Sequence, residues 1–221
     1  GWRAIRLSLD RDGLMKVQAR ALIEAAAGTT LNVMFPMVSE PWEFDQARDL
    51  FEAQKNWVAK QGRSLPVQIR YGCMLEVPAL AEWLDVLLPK LDFLSIGTND
   101  LTQFLFAADR ANPRLAERYD WLSPAILRFL RRVIRASHAG DVPVSICGEM
   151  GGRRLEAMAL VGMGVQRLSV TPAAVGPLKA MLRNLDPSDL GPKLDAWLDL
   201  PEHHMREKLA AYAAENGIIV D

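Results

Sequence analysis

Six side chains in this sequence have the types, and the positions beside apolar runs, that chemistry on a small anionic substrate needs. Glu76 follows the run "VQIRYGCML", and Asn99 and Asp100 follow "FLSIG". Cys147 closes "VSIC", with Glu149 two residues on. Arg3 lies near the start of the chain, beside Arg6, and Arg110 follows Asp100 by ten residues. Two carboxylates with room for water suit Mg²⁺, which prefers oxygen ligands and keeps part of its hydration shell. Arginine matches phosphate and carboxylate oxygens two at a time. A thiol with an ordinary pKa of about 8.5 is mostly protonated at neutral pH and can hand a proton to an enolate. Together the set describes a small phosphorylated or carboxylated enol, held through a metal and protonated on one face.

Taken singly, each residue has a plainer reading. Glu76 could be an acidic charge at a helix start, Asn99 and Asp100 helix caps, Cys147 a small buried apolar residue, and Arg110 half of a surface ion pair. Their joint placement at successive strand ends is what favours chemistry. Cys73 alternates away from Glu76 along its strand and reads as structural. None of the three histidines, His138, His203 and His204, adjoins a strand end, so none is nominated as a phosphoryl acceptor.

The elements that must position these groups alternate. Five near-continuous apolar segments read as buried strands, at 31–36, 67–75, 93–97, 144–148 and 167–170, with a possible sixth at 2–7. Helical patterns separate them, at 10–28, 39–62, 77–90, 123–140, 154–164 and 176–186, and two more helices fill 188–221 on either side of Pro201. Ser39 reads as an N-cap and Gly28 as a helix stop; Ser123 and Pro124 open the cleanest helix. That helix has an apolar face (Ile126, Phe129, Leu130, Val133, Ile134). Its other face carries Arg128, Arg131, Arg132 and Arg135 and reads as a solvated face rather than a nucleic-acid patch.

Strand-then-helix repetition means parallel βαβ units, and in such folds chemistry gathers at the carboxyl ends of the strands. No GxGxxG follows the first strand, which disfavours a dinucleotide-binding sheet. A (β/α)8 barrel takes about 250 residues and eight strands. The expected class is therefore α/β of the (β/α)8 TIM-barrel type, incomplete because its first strands are missing. Residues 1–221 are expected to be one partial barrel domain, with 188–221 as its C-terminal helices.

The formal charge of -1 argues against nucleic acid or a membrane surface as partner. No apolar run approaches the ~18 residues of a membrane span, and no secretory signal is present. Two cysteines far apart suggest reduced thiols and a cytoplasmic protein. The opening "GWRAIR", without an initiator Met, reads as a processed or truncated product.

At the level of whole motifs, "GWRAIRLSLDR", "MFPMVSE", "GCMLEVPAL", "SIGTNDLTQFLFAADRANP", "LSPAILRFLRRVIRASH" and "CGEMGG" resemble the phosphoenolpyruvate-binding domain of Enzyme I of the bacterial phosphotransferase system. The match runs in order from residue 1 to about 186, and looks closest to the nitrogen-related branch. The resemblance implies that Glu76 and Asp100 hold Mg²⁺, that Arg3 and Arg110 contact the substrate, that Asn99 binds its phosphate, and that Cys147 protonates the enolate on the way to pyruvate. It implies a homodimer. It also implies a phosphoryl-accepting histidine on an N-terminal domain absent here, which passes the group to a carrier protein. Ala111 departs from the family's usual Gly. The family's first two strands, each with a substrate arginine, are also missing, so this chain alone is expected to be inactive. Two other readings remain open. One is a Mg²⁺-dependent lyase or aldolase of the same barrel group, or an enzyme like pyruvate phosphate dikinase or phosphoenolpyruvate synthase. The other is a dimerisation module of a larger regulator.

Overall fold

The computed structural model describes residues 1–109, 111–116, 118–201 and 203–220. Its strands run in the sheet order β1-β2-β3-β4-β5. They are β1 (Thr30–Phe35), β2 (Gln68–Leu75), β3 (Phe93–Gly97), β4 (Val144–Cys147) and β5 (Arg167–Leu168). β1 pairs with β2 in parallel, and β4 with β5. The chain forms two compact units, Gly1–Ser95 and Ile96–Asp221, and the division falls inside β3.

In the first unit, α1 (Ile5–Asp10) and α2 (Asp12–Ala25) precede β1, and α3 (Pro41–Lys60) joins β1 to β2. α3 buries Phe44, Ala47, Phe51, Gln54 and Val58, a stripe at helical spacing. Phe44 and Phe51 meet Phe35 of β1 edge-on at 5.8 and 6.4 Å, and Tyr71 of β2 stacks on Phe35 at 6.2 Å. Gly72 lies where β3 comes close: a Cβ there would fall 2.5 Å from the Phe93 carbonyl oxygen. Cys73 is fully buried, and burial pushes its thiol pKa up, in keeping with a structural role.

Three expectations in this unit are corrected. Residues 2–7 do not form a strand; helix begins at Ile5. The Trp2 indole N–H donates to Asp10 at 2.7 Å, and Arg11 lies over the Trp2 ring. An eight-residue extended segment would hold such groups about 25 Å apart. The N-cap of α3 is Glu40, not Ser39. The Glu43 carboxylate accepts from the backbone N–H of both Ser39 and Glu40, while the Ser39 hydroxyl accepts from Arg6. The helix expected at 77–90 is broken into 3-10 turns at Pro78–Trp83 and Leu88–Lys90 around the single turn α4 (Leu84–Leu87). Pro89 has no N–H to donate backwards and so disfavours a regular continuation.

In the second unit, α5 (Thr98–Leu105) follows β3 directly. α6 (Pro113–Ala116) and α7 (Pro124–Ala139) lead to β4; a 3-10 turn (Glu149–Gly152) and α8 (Arg154–Gly162) lead to β5. α9 (Pro172–Leu182), α10 (Pro187–Asp199) and α11 (Met205–Glu215) finish the chain. Ser123 caps α7 as expected, with its side chain accepting from the Ala125 N–H. The arginine face of α7 is not simply solvated, however. Arg128 donates to the Leu198 and Leu200 carbonyls at 2.6 and 2.7 Å, Arg131 to Asp199 at 2.8 Å, and Arg135 to Asp195 at 2.5 Å. These are the last carbonyls and carboxylates of α10, the negative end of its dipole, so cations are favoured there.

Replacing Arg128 tests that grip. Arg128→Ala is expected to cost about 2 kcal/mol in urea unfolding, the scale of hydrogen bonds donated by a charged group. Arg128→Lys should recover less than half, because an ammonium cannot span both oxygens as a guanidinium does.

Candidate active site

In the first unit, Glu76 stands immediately after β2 and is 5% exposed. Its Oε1 accepts from the backbone N–H of Met37 at 2.7 Å. Met37 lies two residues beyond β1 and is fully buried with φ 59°, a conformation that side-chain-bearing residues seldom adopt. That backbone turn aims the N–H at the carboxylate. The Arg3 guanidinium donates to the Met37 thioether at 3.6 Å. Arg3 and Glu76 are thus gathered around one buried methionine. Arg6 donates to the Gly1 carbonyl and to the Ser39 hydroxyl instead.

In the second unit, β3 passes into α5 without a loop, so Asn99 and Asp100 fall in the first turn of the helix. Carboxylate there is favoured by the helix dipole. Neither residue is the N-cap, which is Gly97. Thr98, 1% exposed, donates its hydroxyl to the Cys147 carbonyl at 2.9 Å. The Glu149 N–H donates to Asn99 Oδ1 at 3.0 Å. That bond fixes the amide's orientation: Oδ1 is the acceptor, so the NH₂ is the end presented to an anion. Cys147 is half-buried, and its thiol donates to the Ile96 carbonyl at 3.5 Å. The second unit therefore brings Asn99, Asp100 and Cys147 to two adjoining strand ends. Arg110 lies outside the described residues.

Gly148 makes this possible. It has φ 102°, and a Cβ would fall 2.4 Å from Thr98 Oγ1 and 2.9 Å from Asn99 Oδ1. The site candidates read from the sequence omitted Gly148, Thr98 and Met37, although the glycines of "CGEMGG" and the polar run "GTND" carried a signal for the first two.

A cavity of about 730 Å³ opens in the same unit, with Asn99 and Glu149 on its wall and Phe106, Tyr119 and Trp121 also lining it. Arg206 closes part of that wall. It donates through Nε and Nη2 to the two Asp120 oxygens at 2.7 and 2.6 Å, and through Nη2 to Glu156 at 2.5 Å. Glu156 is 1% exposed and also meets Arg153 at 3.3 Å. Burial pushes the Asp120 carboxyl up. The Arg206 hydrogen bonds, the Leu122 N–H and the two arginine charges outweigh that and hold it below the usual aspartate range. No local pattern pointed to this cluster.

Both cysteines are free thiols. Among the described residues, no group of three or more His, Cys, Asp or Glu side chains could hold a metal ion, and no helix is long and apolar enough to cross a membrane. Mg²⁺ commonly takes only one or two protein ligands and completes its shell with water and substrate phosphate, so it does not require a group of three.

The comparison that decides the family is a model described as "PEP-utilising enzyme, PEP-binding domain", which matches residues 1–187. The chain belongs to that family. It is 40% identical over 190 residues, 86% of its length, to a phosphoenolpyruvate-protein phosphotransferase of Latilactobacillus sakei, of which it covers 33%. It is 40% identical over 188 residues, 84% of its length, to a protein named phosphoenolpyruvate-dependent phosphotransferase system in Escherichia coli K12, of which it covers 25%. The chain thus spans about a third or less of these relatives. A crystal structure of a citrate lyase from Burkholderia xenovorans LB400 matches 95% of this chain and 71% of its own, with TM-score 0.57 and 19% identity. At that identity the likeness concerns the fold alone. It agrees with a barrel-type α/β fold, here carrying five strands among the described residues.

For this PEP-binding family member, the Gly148 turn is the position to probe. Gly148→Ala is expected to destabilise by about 2 kcal/mol or more in urea unfolding, from backbone strain and steric overlap together. An alanine variant as stable as the parent would mean that the Thr98 and Asn99 contacts do not depend on that gap.

Proposed function

We propose that this chain is the phosphoenolpyruvate-binding part of a phosphoenolpyruvate-protein phosphotransferase. The observation that carries the reading is the Asn99 amide, tied by its oxygen to the Glu149 N–H so that its NH₂ end is the donor, next to the Asp100 carboxylate at the start of α5. An amide donor and a carboxylate at one helix start suit a phosphate that arrives with a divalent cation.

In this reading Arg3 and Arg110 bind the phosphate or carboxylate of the substrate, and Asn99 donates to the phosphate. Glu76 and Asp100 are the carboxylates that would hold Mg²⁺, which when bound neutralises charge on the phosphate and enolate oxygens. The phosphoryl group leaves the enol oxygen, which keeps the bonding electron pair, and passes to a histidine outside this chain. The resulting enolate takes the Cys147 thiol proton at its methylene carbon. Pyruvate and a thiolate result, and water reprotonates the thiolate. In this reading the chemistry takes place in the cytoplasm, and the free thiols of Cys73 and Cys147 are compatible with that. Residues 1–221 act as one partial barrel domain, with a second copy of the chain as partner.

The enolate step is separable from binding. With Mg²⁺ in D₂O, the full-length protein is expected to exchange the methyl protons of pyruvate, followed by NMR. Cys147→Ala should slow that exchange at least ~100-fold, the usual contribution of a positioned acid. It should leave phosphoenolpyruvate affinity within about 3-fold. Unchanged exchange in the variant would remove Cys147 from the chemistry.

A further inference from the structure

The segment between α5 and α7 begins and ends against the cavity described above. At its neck, Phe106 stacks on Tyr119 with ring centroids 4.5 Å apart. Asp120 follows, then Trp121, whose ring lies under the Arg153 guanidinium at 5.2 Å. Asp120 also starts the turn into α7: its Oδ1 accepts from the Leu122 N–H at 3.0 Å, and its carbonyl from the Ser123 N–H at 2.9 Å. This is the segment that carries Asp109 and Arg110 in sequence. Its return end is held by a residue from far along the chain.

That residue is Arg206, the second residue of α11. Its guanidinium faces both Asp120 oxygens at once, a two-bond geometry with little rotational freedom. The same group reaches Glu156 on α8, which is almost wholly buried and also pairs with Arg153. α11 is itself seated: Met205 and Leu209 are 1% and 0% exposed. The guanidinium therefore sits on a rigid base. Arg206 lies beyond residue 187, where the family match ends.

We propose that Arg206 is a positioning residue for the candidate site: by clamping Asp120 it fixes the return end of the 106–120 segment and with it the cavity wall that Asn99 shares. This rests on the phosphoenolpyruvate reading, and it extends that site to a C-terminal helix outside the matched family region. The depressed Asp120 carboxyl agrees with a clamp that stays ionised at physiological pH. An ion pair serving stability alone would lower the unfolding midpoint but leave substrate affinity alone once the protein is folded. A clamp that positions the segment changes affinity in protein that is still folded.

Asp120→Asn is the variant of choice. It keeps an oxygen for the Leu122 N–H and leaves the Arg206–Glu156 pair intact. Arg206→Lys is the second variant, retaining charge but not the fork. In the full-length protein, hydrogen exchange of the hydrogen-bonded amides of Ala108, Asn112, Leu115 and Arg118 is expected to rise at least ~10-fold in Asp120→Asn while α7 stays protected. In the same variants KM for phosphoenolpyruvate should rise about 5–10-fold with kcat within about 2-fold, the signature of lost positioning in binding. Unchanged exchange in folded Asp120→Asn overturns the clamp. Raised exchange with unchanged KM overturns its link to the site. A parent protein that fails to bind phosphoenolpyruvate sinks the earlier functional reading, and the exchange experiment still decides the clamp.

Discussion

Two hydrogen bonds between the ends of β3 and β4 set the geometry on which the candidate chemistry of the second unit depends. Thr98 donates to the Cys147 carbonyl, and the Glu149 N–H donates to the Asn99 side chain. Both need the two turns to approach more closely than a Cβ at residue 148 would allow. The consequences are specific. The Asn99 amide can face an anion in only one sense, Asp100 is delivered into the first turn of α5, and the Cys147 thiol is brought onto the Ile96 carbonyl. Part of the local stability is given up to a left-handed glycine and buried polar side chains, a common exchange at functional sites. The first unit uses the same device with different parts. Met37 takes a left-handed backbone that is unfavourable for its side chain, and in return its N–H holds Glu76.

Much of this was legible in the sequence wherever a physical signal was local. β3 is covered on both faces, so "FLSIG" reads as one apolar run, and its observed bounds match the reading. Ser123-Pro124 carries both start signals of a helix and is where α7 begins. Glu76, Asn99, Asp100 and Cys147 could be placed at strand ends because such ends can be counted from apolar runs. The misreadings also have local causes. "WRAIRL" is short and apolar-rich enough to pass for a strand, but helix begins at Ile5 and the Trp2 indole N–H reaches Asp10. Ser39 has the better N-cap side chain in isolation, yet the Glu43 carboxylate reaches the N–H groups of both Ser39 and Glu40 and moves the cap by one residue.

Long-range charge pairing was the part that sequence could not carry. Arg128, Arg131 and Arg135 looked like a solvated face because nothing beside them in sequence could cover them; α10, some sixty residues away, does. Arg206 and Asp120 are 86 positions apart, and neither belongs to a motif. Ion pairs have no periodicity, so they surface only when the fold brings the partners together. The strand-end residues lie beside apolar runs that the sequence shows, whereas these arginine pairings depend on helices packed later in the chain.

The central claim is that carboxylates at two strand ends bind phosphoenolpyruvate through a divalent cation. Calorimetric titration of the full-length protein with phosphoenolpyruvate, with and without Mg²⁺, tests it most directly when repeated on Glu76→Ala and Asp100→Ala. The account predicts binding that requires Mg²⁺ and that either substitution weakens at least ~100-fold while the fold persists, as loss of a metal ligand should. Binding of equal strength without Mg²⁺, or undiminished in both folded variants, would contradict it.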